Sequence, residues 1–265
     1  MRKNKFLIFA ILLVLVTVIY YNINEEFYYR ILSKSGESYG LNSKGNFEGR
    51  SRIYKNGIKI FDGYFKNGKM EGWSFKYYDN GEIKLKTFYK SDVIDGYKYE
   101  YYSNGKLKAK TFMINGNSYA EQVYYSEKGQ LSEYWVRDHR NMPNDFLYIK
   151  YNSSGNIKQM VGTLLSENLA IRQKNGFEII EQGNSYKKIE DVYITVANPP
   201  KLKSSFKIFV NDKEFDFFNV KTNTLKLTGA LKKSGRYIVI GVGTLKDSGK
   251  LIKRDTISVT FVKGL

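Results

Sequence analysis

The chain has 265 residues and a formal charge of +17, from 43 Lys and Arg against 26 Asp and Glu. It contains no cysteine, which excludes disulfides, a thiolate nucleophile, cysteine-ligated metals and lipid-modified cysteines. Its single histidine, His139, excludes a zinc site built from several histidines. With 42% apolar residues the chain can form a core, and its length suits one or two domains.

The N-terminal residues have the layout of an export signal. The basic segment Met1–Lys5 precedes an uncharged apolar run, Phe6–Tyr21. As a helix this run would span about 24 Å, slightly short of a hydrocarbon core of about 30 Å, and flanking Asn and Tyr residues at the interface would supply the difference. No small-residue cleavage pattern follows, which favours an uncleaved anchor at residues 1–21 over a cleaved signal or a buried core helix. The positive-inside rule then predicts that everything after residue 22 lies outside the cytoplasm, with a juxtamembrane linker at 22–38.

A period of 24 residues dominates residues 39–160. It is carried by three series of turn residues: Gly57, Gly81, Gly105, Gly129 and, loosened, Gly155; Gly68, Asp92 and Gly116; and Gly49, Gly72 and Gly96, with Ala120 at the fourth place. Three interleaved series with one period indicate a repeat architecture in which these glycines are structural turn residues.

Each repeat predicts two strands and two turns, as in 73–77 and 83–88, followed by 97–101. Asn-Gly between alternating strands predicts a type I′ turn. Aromatic and polar residues alternate, so the aromatics should occupy one face and the charges the other. Stacked repeats would superpose Tyr99 on Val123. We expect this stripe to be core, with a ligand platform as the alternative.

Two pairs of sequence segments resemble a known repeat family. Residues 67–72 with 77–81, and 95–96 with 101–107, resemble the MORN-type repeat in the bacterial variant found in proteins classed as YwqK-family antitoxins. The resemblance covers roughly residues 39–160. It implies stacked β-hairpins that act as a protein- or membrane-binding scaffold, and in that family a toxin-neutralising role is suggested.

The C-terminal residues have a different sequence pattern from the repeats. We expect a linker at 161–185, in which 164–171 is a last strand or a short helix, and then short strands over 186–265 that suit a small immunoglobulin-like β-sandwich. The expected strands are Val192–Val196, Phe206–Val210, Phe215–Val220, Thr224–Leu227, Arg236–Val242 and Thr256–Val262. The last 80 residues carry 16 basic and 7 acidic side chains. This excess gives a candidate binding surface for an anionic partner, with a plain solvated surface as the alternative: Lys232, Lys233, Arg236, Lys250, Lys253 and Arg254.

Apparent active sites do not meet the requirements of their chemistry. Residues 241–250 are rich in glycine but lack phosphate-loop spacing, and a hairpin loop accounts for the glycines. His139 lies where the repeat is interrupted and has no nucleophile pattern beside it. Glu48, Glu71 and Asp95 should recur at about 10 Å, which suits an inverting glycosidase, but their place beside a glycine indicates turn chemistry. We therefore predict no catalytic, cofactor-binding or metal-binding residues.

The sequence thus predicts a mainly β protein: an N-terminal transmembrane helix, a stacked β-hairpin array and a small C-terminal sandwich. The expected function is a non-enzymatic, membrane-anchored extracytoplasmic scaffold that binds a protein or an anionic envelope component, without specific nucleic acid binding. The alternatives are an antitoxin or immunity protein that binds a toxin directly, and a cell-envelope hydrolase. Open hairpin arrays expose edge strands, so a homo-oligomer is a further expected partner arrangement.

Overall fold

The computed structural model describes residues 11–16, 35–114, 116–137, 145–173, 176–180, 182–186, 189, 191–215, 218–220, 223–228, 231 and 233–264. These residues are mainly β and form antiparallel sheets, as expected. The chain divides into two compact units. The first contains Met1–Asp92 and Ser103–Gly105, and the second contains Val93–Tyr102 and Lys106–Leu265.

Most of the expected N-terminal anchor lies outside the described residues. Within it, residues 11–16 are helical and their side chains are exposed. In the part of the chain that the structure describes, no helix has both the length and the apolar character needed to cross a bilayer.

The first unit contains a meander of antiparallel strands. They are β1 (Gly36–Leu41), β2 (Phe47–Lys55), β3 (Ile58–Lys66), β4 (Lys69–Met70), β5 (Gly72–Tyr77) and β6 (Ile83–Lys90). Their order is β1-β2-β3-β5-β6, and the short β4 pairs with β3 just before β5. The strands expected at 73–77 and 83–88 are present as β5 and β6.

The second unit begins with six more strands of the same kind. They are β7 (Val93–Tyr101), β8 (Leu107–Ile114), β9 (Asn117–Tyr125), β10 (Leu131–Arg137), β11 (Asp145–Tyr151) and β12 (Ile157–Gly162). Each pairs antiparallel with the next along the chain. Two strands per period of 24 residues are thus present in both units.

The turn residues take the backbone conformation that the period predicts. The glycines of all three series have positive φ, and Asp92, which replaces a glycine, has φ of +70°. Asn56-Gly57 and Ser91-Asp92 have positive φ at both positions, as a type I′ turn requires.

The turns at Asn80-Gly81 and Asn104-Gly105 differ from the expected type I′ turn. In each of them only the glycine has positive φ. The loop is wider: the Tyr78 N–H donates to the Glu82 carbonyl at 2.8 Å, and the Gly81 N–H donates to the Tyr78 carbonyl at 2.9 Å. The dipeptide Asn-Gly locates the reversal but does not fix the loop length, because a type I turn followed by a left-handed glycine also uses it.

A β-bulge follows each wide turn. Tyr77 pairs with Ile83 and Lys76 with Leu85, so Lys84 is an extra residue between the two pairs. The same shift occurs after the next turn, where Lys108 is the extra residue. A bulge bends its strand and increases the local twist. The bulge is therefore part of the repeat, in addition to its turns.

The rest of the second unit forms two five-stranded sheets. Their strands are β13 (Leu165–Gln173), β14 (Gly176–Ile180), β15 (Ser185–Tyr186), β16 (Asp191–Val196), β17 (Lys203–Val210), β18 (Lys213–Phe215), β19 (Phe218–Val220), β20 (Thr224–Thr228), β21 (Gly235–Asp247) and β22 (Lys250–Lys263). One sheet has the order β14-β13-β16-β20-β19 and the other β15-β22-β21-β17-β18.

Three expectations about this region need correction. The linker expected at 161–185 contains β14 and also β13, which is the strand alternative expected at 164–171; Leu165, Leu169 and Ile171 of β13 are buried, and β13 pairs with β16. The single strand expected at 215–220 is divided between the two sheets, as β18 and β19. The glycines attributed to a hairpin loop do not all lie in a loop: Gly241 and Gly243 lie within β21, and of the three only Gly249 lies in the turn.

One hydrophobic core joins the last repeat strands to both C-terminal sheets. It includes side chains of β9, β10 and β11 together with residues from 164 to 261. Tyr134 of β10 is fully buried within it. Its hydroxyl accepts hydrogen bonds from the Asn198 backbone N–H and from the Asn223 side-chain amide, each at 2.9 Å. The end of the repeat array and the C-terminal sheets therefore form one packed body.

Candidate binding surfaces

One face of the first unit carries a row of charged and aromatic side chains. Arg52 pairs with Asp62, Asp62 with Phe75, and Phe75 with Lys86. Directly paired residues project from the same face of a sheet, so these four side chains form one row across β2, β3, β5 and β6. We call this surface the aromatic–basic face. Along one strand, aromatic and charged side chains lie on opposite faces, as expected. Across the sheet this separation fails, because β6 places Lys86 on the same face as Phe75 of β5.

Lysines on this face lie over aromatic rings. The Nζ of Lys86 is 4.4 Å from the ring centroid of Trp73, within cation–π range. Trp73 is 38% exposed and packs edge-on against Phe88, with 5.2 Å between ring centroids. In the second unit, Lys110 repeats the arrangement, with its Nζ 4.3 Å from the ring centroid of Tyr97. The aromatic rings thus hold ammonium groups at the surface.

A bidentate ion pair orients the basic end of the row. Arg50 donates from Nε and Nη2 to the two carboxylate oxygens of Asp62, at 2.8 and 2.6 Å. The Lys59 Nζ lies 3.5 Å from Oδ2 of the same carboxylate. Burial acts to raise the pKa of Asp62, but the hydrogen bond and the positive charge of Arg50 outweigh it, and the pKa is lowered. Asp62 therefore stays ionised at neutral pH. One carboxylate faces several cations, so the face remains basic.

In the second unit, the same register leads from a surface into the core. Tyr99 pairs with Lys110, Lys110 with Val123, Val123 with Tyr134, and Tyr134 with Ile149. Val123, Tyr134 and Ile149 are buried. The expected contact of Tyr99 with Val123 is replaced by an intervening lysine. The aromatic stripe is thus core where the C-terminal sheets cover it, whereas in the first unit it is partly exposed.

The basic residues selected from the C-terminal sequence do not form one surface. Lys232 lies outside the described residues. Arg236 pairs with Val262 at one end of the long β21–β22 hairpin, beside Lys233, while Lys250, Lys253 and Arg254 lie near the turn at the other end. Arg254 pairs with Thr244, eight residues from Arg236, so about 27 Å of strand separates the two groups. Lys253 also forms an ion pair with Asp255 at 3.1 Å.

Two of the three recurring carboxylates cap turns. The Glu48 Oε2 accepts the backbone N–H of Asn67 at 2.7 Å, and the Glu71 Oε2 accepts that of Ser91 at 2.8 Å. Both donors are the first residue of a type I′ turn, one repeat further on. Each carboxylate thus links its own repeat to the turn of the next one. Asp95, the third of the series, lies in β7 of the second unit. For Glu48 and Glu71, this cap explains the spacing that suggested a glycosidase.

We expect Glu71→Ala to lower the free energy of unfolding of the first unit by about 1 kcal/mol, because the Ser91 N–H loses its charged acceptor. Glu71→Gln should cost less, because the amide oxygen still accepts. Urea unfolding followed by the fluorescence of Trp73, in a Trp135→Phe background, measures the change. Glu37→Ala, at an exposed carboxylate of β1, is the control. Equal stability of the Glu71→Ala and Glu37→Ala variants would contradict the capping role.

Within the described ranges, no group of three or more His, Asp or Glu side chains is arranged to hold a metal ion. His139 lies outside these ranges. Sequence reasoning did not select Glu121. Burial raises the pKa of its carboxyl group, and the positive charge of Lys110 offsets only part of this rise. Glu121 pairs with Val136 at the border of the core, so its burial can be recognised only from the fold.

No family model matches the chain, and no curated protein is similar to it. Among solved structures, the chain is similar to an extracellular domain assigned to the hybrid two-component system BT3049 of B. thetaiotaomicron, with 12% sequence identity and a TM-score of 0.27. The match covers 86% of this chain and 38% of that one, so the chain spans well under half the length of its match. A similarity at this TM-score supports no statement about fold family or function.

Proposed function

We propose that the protein is a non-catalytic scaffold that binds an acidic envelope polysaccharide on the aromatic–basic face of its first unit. The observation that carries the proposal is the cross-strand row of Arg52, Asp62, Phe75 and Lys86, with the Lys86 ammonium over the ring of Trp73. The row combines half-exposed rings with an excess of positive charge on a sheet surface.

The chemistry of this face fits a polymer of charged sugar rings. Aromatic rings pack against the apolar faces of sugars, and ammonium and guanidinium groups attract carboxylates or phosphates. A sheet surface offers such groups at the regular spacing of its strands, about 4.8 Å. An extended polymer can therefore contact several strands at once, and many weak contacts add up along its length.

Three further assignments belong to the same proposal. Residues 39–160 form a MORN-type array, supported by the periodic turns and bulges. The two C-terminal sheets form an immunoglobulin-like sandwich, which begins near residue 164 rather than at 186. The apolar segment Phe6–Tyr21 anchors the chain in the cytoplasmic membrane with the rest outside the cytoplasm, supported by its basic flank and apolar composition.

Binding of the full-length chain to three polymers tests this function: polygalacturonate, which has charge and sugar rings; polyglutamate, which has charge alone; and dextran, which has rings alone. We expect the affinity to follow that order and to fall as salt is added. Lys86→Gln should weaken polygalacturonate binding about three- to tenfold, the loss expected for one surface charge contact. Trp73→Ala should reduce the preference for polygalacturonate over polyglutamate.

The matched control is Lys76→Gln. Lys76 is an exposed lysine of β5, next to Phe75 in sequence and therefore on the opposite face of the sheet. The Lys76→Gln variant should bind polygalacturonate as tightly as the unsubstituted chain does. Equal losses for Lys76→Gln and Lys86→Gln, or equal affinity for polygalacturonate and polyglutamate, would contradict the proposal.

A further inference from the structure

A second candidate surface lies near the turn of the β21–β22 hairpin, in the second unit. Lys203 of β17 pairs with Lys246 of β21, and Lys246 pairs with Leu251 of β22. Two residues back along β21, Thr244 pairs with Arg254. Paired residues, and alternate residues of one strand, project from the same face of a sheet. Lys203, Lys246, Leu251 and Arg254 therefore share one face, which we call the hairpin-turn face.

The hairpin-turn face carries positive charge that no neighbouring carboxylate offsets. Lys203, Lys246 and Arg254 are exposed, and among the described residues none of the three forms an ion pair. Asp247 and Asp255 directly follow Lys246 and Arg254 in their strands, so these carboxylates project from the opposite face. Lys203 and Lys246 face each other across two strands, and like charges in this position destabilise a sheet. An anion bound between the two ammonium groups removes this repulsion.

Hydroxyl groups lie beside these cations. Ser205 pairs with Thr244, so both side chains lie on the hairpin-turn face, in one row with Arg254. Their hydroxyl oxygens are 2.5 Å apart, so one hydroxyl donates to the other, whose own hydrogen remains for a ligand. The face thus presents ammonium, guanidinium and hydroxyl donors together. Phosphate oxygens accept hydrogen bonds from all three kinds of group.

Leu251 favours a lipid surface over a soluble anion. Its side chain is 52% exposed, at the end of the row that contains Lys203 and Lys246. An exposed aliphatic side chain beside cations suits the boundary between the headgroups and the acyl chains of a bilayer, where apolar burial and charge attraction add. No aromatic residue occurs from Lys246 to Arg254, so this part of the surface lacks the rings that pack against sugars.

We propose that the hairpin-turn face docks on the phosphate headgroups of an anionic lipid bilayer. Lys203, Lys246 and Arg254 attract the phosphates, the Ser205–Thr244 hydroxyl pair donates to them, and Leu251 enters the headgroup region. The inference does not rest on the polymer-binding face of the first unit.

The test uses the full-length chain with one environment-sensitive fluorophore at Ser248→Cys, in the turn itself. The chain has no cysteine of its own, so the label reports this position alone, whether or not the N-terminal segment inserts. Vesicles of phosphatidylcholine are compared with vesicles that also contain phosphatidylglycerol. We expect a blue shift of the label's emission with the anionic vesicles only, and loss of this shift as salt is added.

Lys246→Gln and Arg254→Gln should each lower the ratio of docked to undocked turn about fivefold, the contribution of one cation near an anionic surface. Leu251→Ser should lower it by a similar factor, because less apolar surface is buried. The control is Lys213→Gln, at an exposed lysine beyond the other end of β17, about 23 Å from Lys203 and outside the screening length at physiological salt. Replacing Lys246 removes its repulsion with Lys203, so weaker docking of this variant cannot result from misfolding.

Equal shifts with neutral and anionic vesicles, or equal docking of the Lys246→Gln and Lys213→Gln variants, would overturn the proposal. A shift of the same size with glycerol phosphate or polyglutamate in the absence of vesicles, unchanged by Leu251→Ser, would indicate a site for soluble anions and would overturn it as well.

Discussion

Replacing Tyr134 by Phe is expected to lower the free energy of unfolding of the second unit by about 2–4 kcal/mol. The Tyr134 hydroxyl accepts from the Asn198 N–H and the Asn223 amide, at 2.9 Å each. Removing it leaves one buried and one partly buried donor without an acceptor, and a buried group of this kind costs about 1–3 kcal/mol. The ring itself still fills its place in the core, so the effect isolates the hydrogen bonds.

The chain offers a matched control in Tyr151→Phe. Both tyrosines are buried, and both changes remove one oxygen, but the Tyr151 hydroxyl has no partner among the described residues. This variant should change stability by less than about 1 kcal/mol, or increase it. Urea unfolding followed by Trp135 fluorescence, in a Trp73→Phe background, reports the second unit alone. Similar losses for both tyrosine variants would mean that the Tyr134 network does not hold the last repeats to the C-terminal sheets.

Gly243→Ala should destabilise the second unit by about 1–3 kcal/mol, the usual cost of overpacking a core. A Cβ at position 243 would stand 2.6 Å from the Leu165 Cδ1 and 3.0 Å from the Leu164 Cβ. Both leucines are fully buried. They therefore cannot move into solvent to relieve the clash.

A double-mutant cycle with Leu165→Ala tests this cause. Leu165→Ala alone should cost about 2–5 kcal/mol because it leaves a cavity. In the double variant the added methyl group fills part of that cavity, so the combined loss should be smaller than the sum of the two single losses. Additive losses in urea unfolding would show that the close approach of β21 to Leu165 is not the reason for glycine at this position.

The sequence predicted the repeat strands because turn chemistry is local. A tight turn needs positive φ, which glycine adopts without cost and Asp tolerates, so residues such as Gly57 and Asp92 recurring every 24 residues locate the chain reversals. The bulge at Lys84 was not predicted, because one extra residue in a strand leaves no signal in composition. The strand at 165–173 was expected only as one of two alternatives, a last strand or a short helix at 164–171, because a short apolar run does not distinguish them.

The candidate surfaces depend on register, which sequence patterns determine poorly. Phe75 and Lys86 are eleven residues apart and meet only because β5 and β6 pair in one particular register. Conversely, Arg236 and Lys250 looked like parts of one basic cluster, but they lie at opposite ends of the long β21–β22 hairpin. Glu48 and Glu71 were correctly attributed to turns, although their caps on the next repeat required the structure.

Amide hydrogen exchange of the full-length chain, with and without polygalacturonate, shows directly which strands the polymer contacts. We expect slower exchange in β5 and β6, the strands that carry Trp73, Phe75 and Lys86, and loss of this protection in Lys86→Gln but not in Lys76→Gln. Protection confined to the basic turn end of the β21–β22 hairpin, at Lys250 and Arg254, with none in β5 and β6, would contradict this expectation.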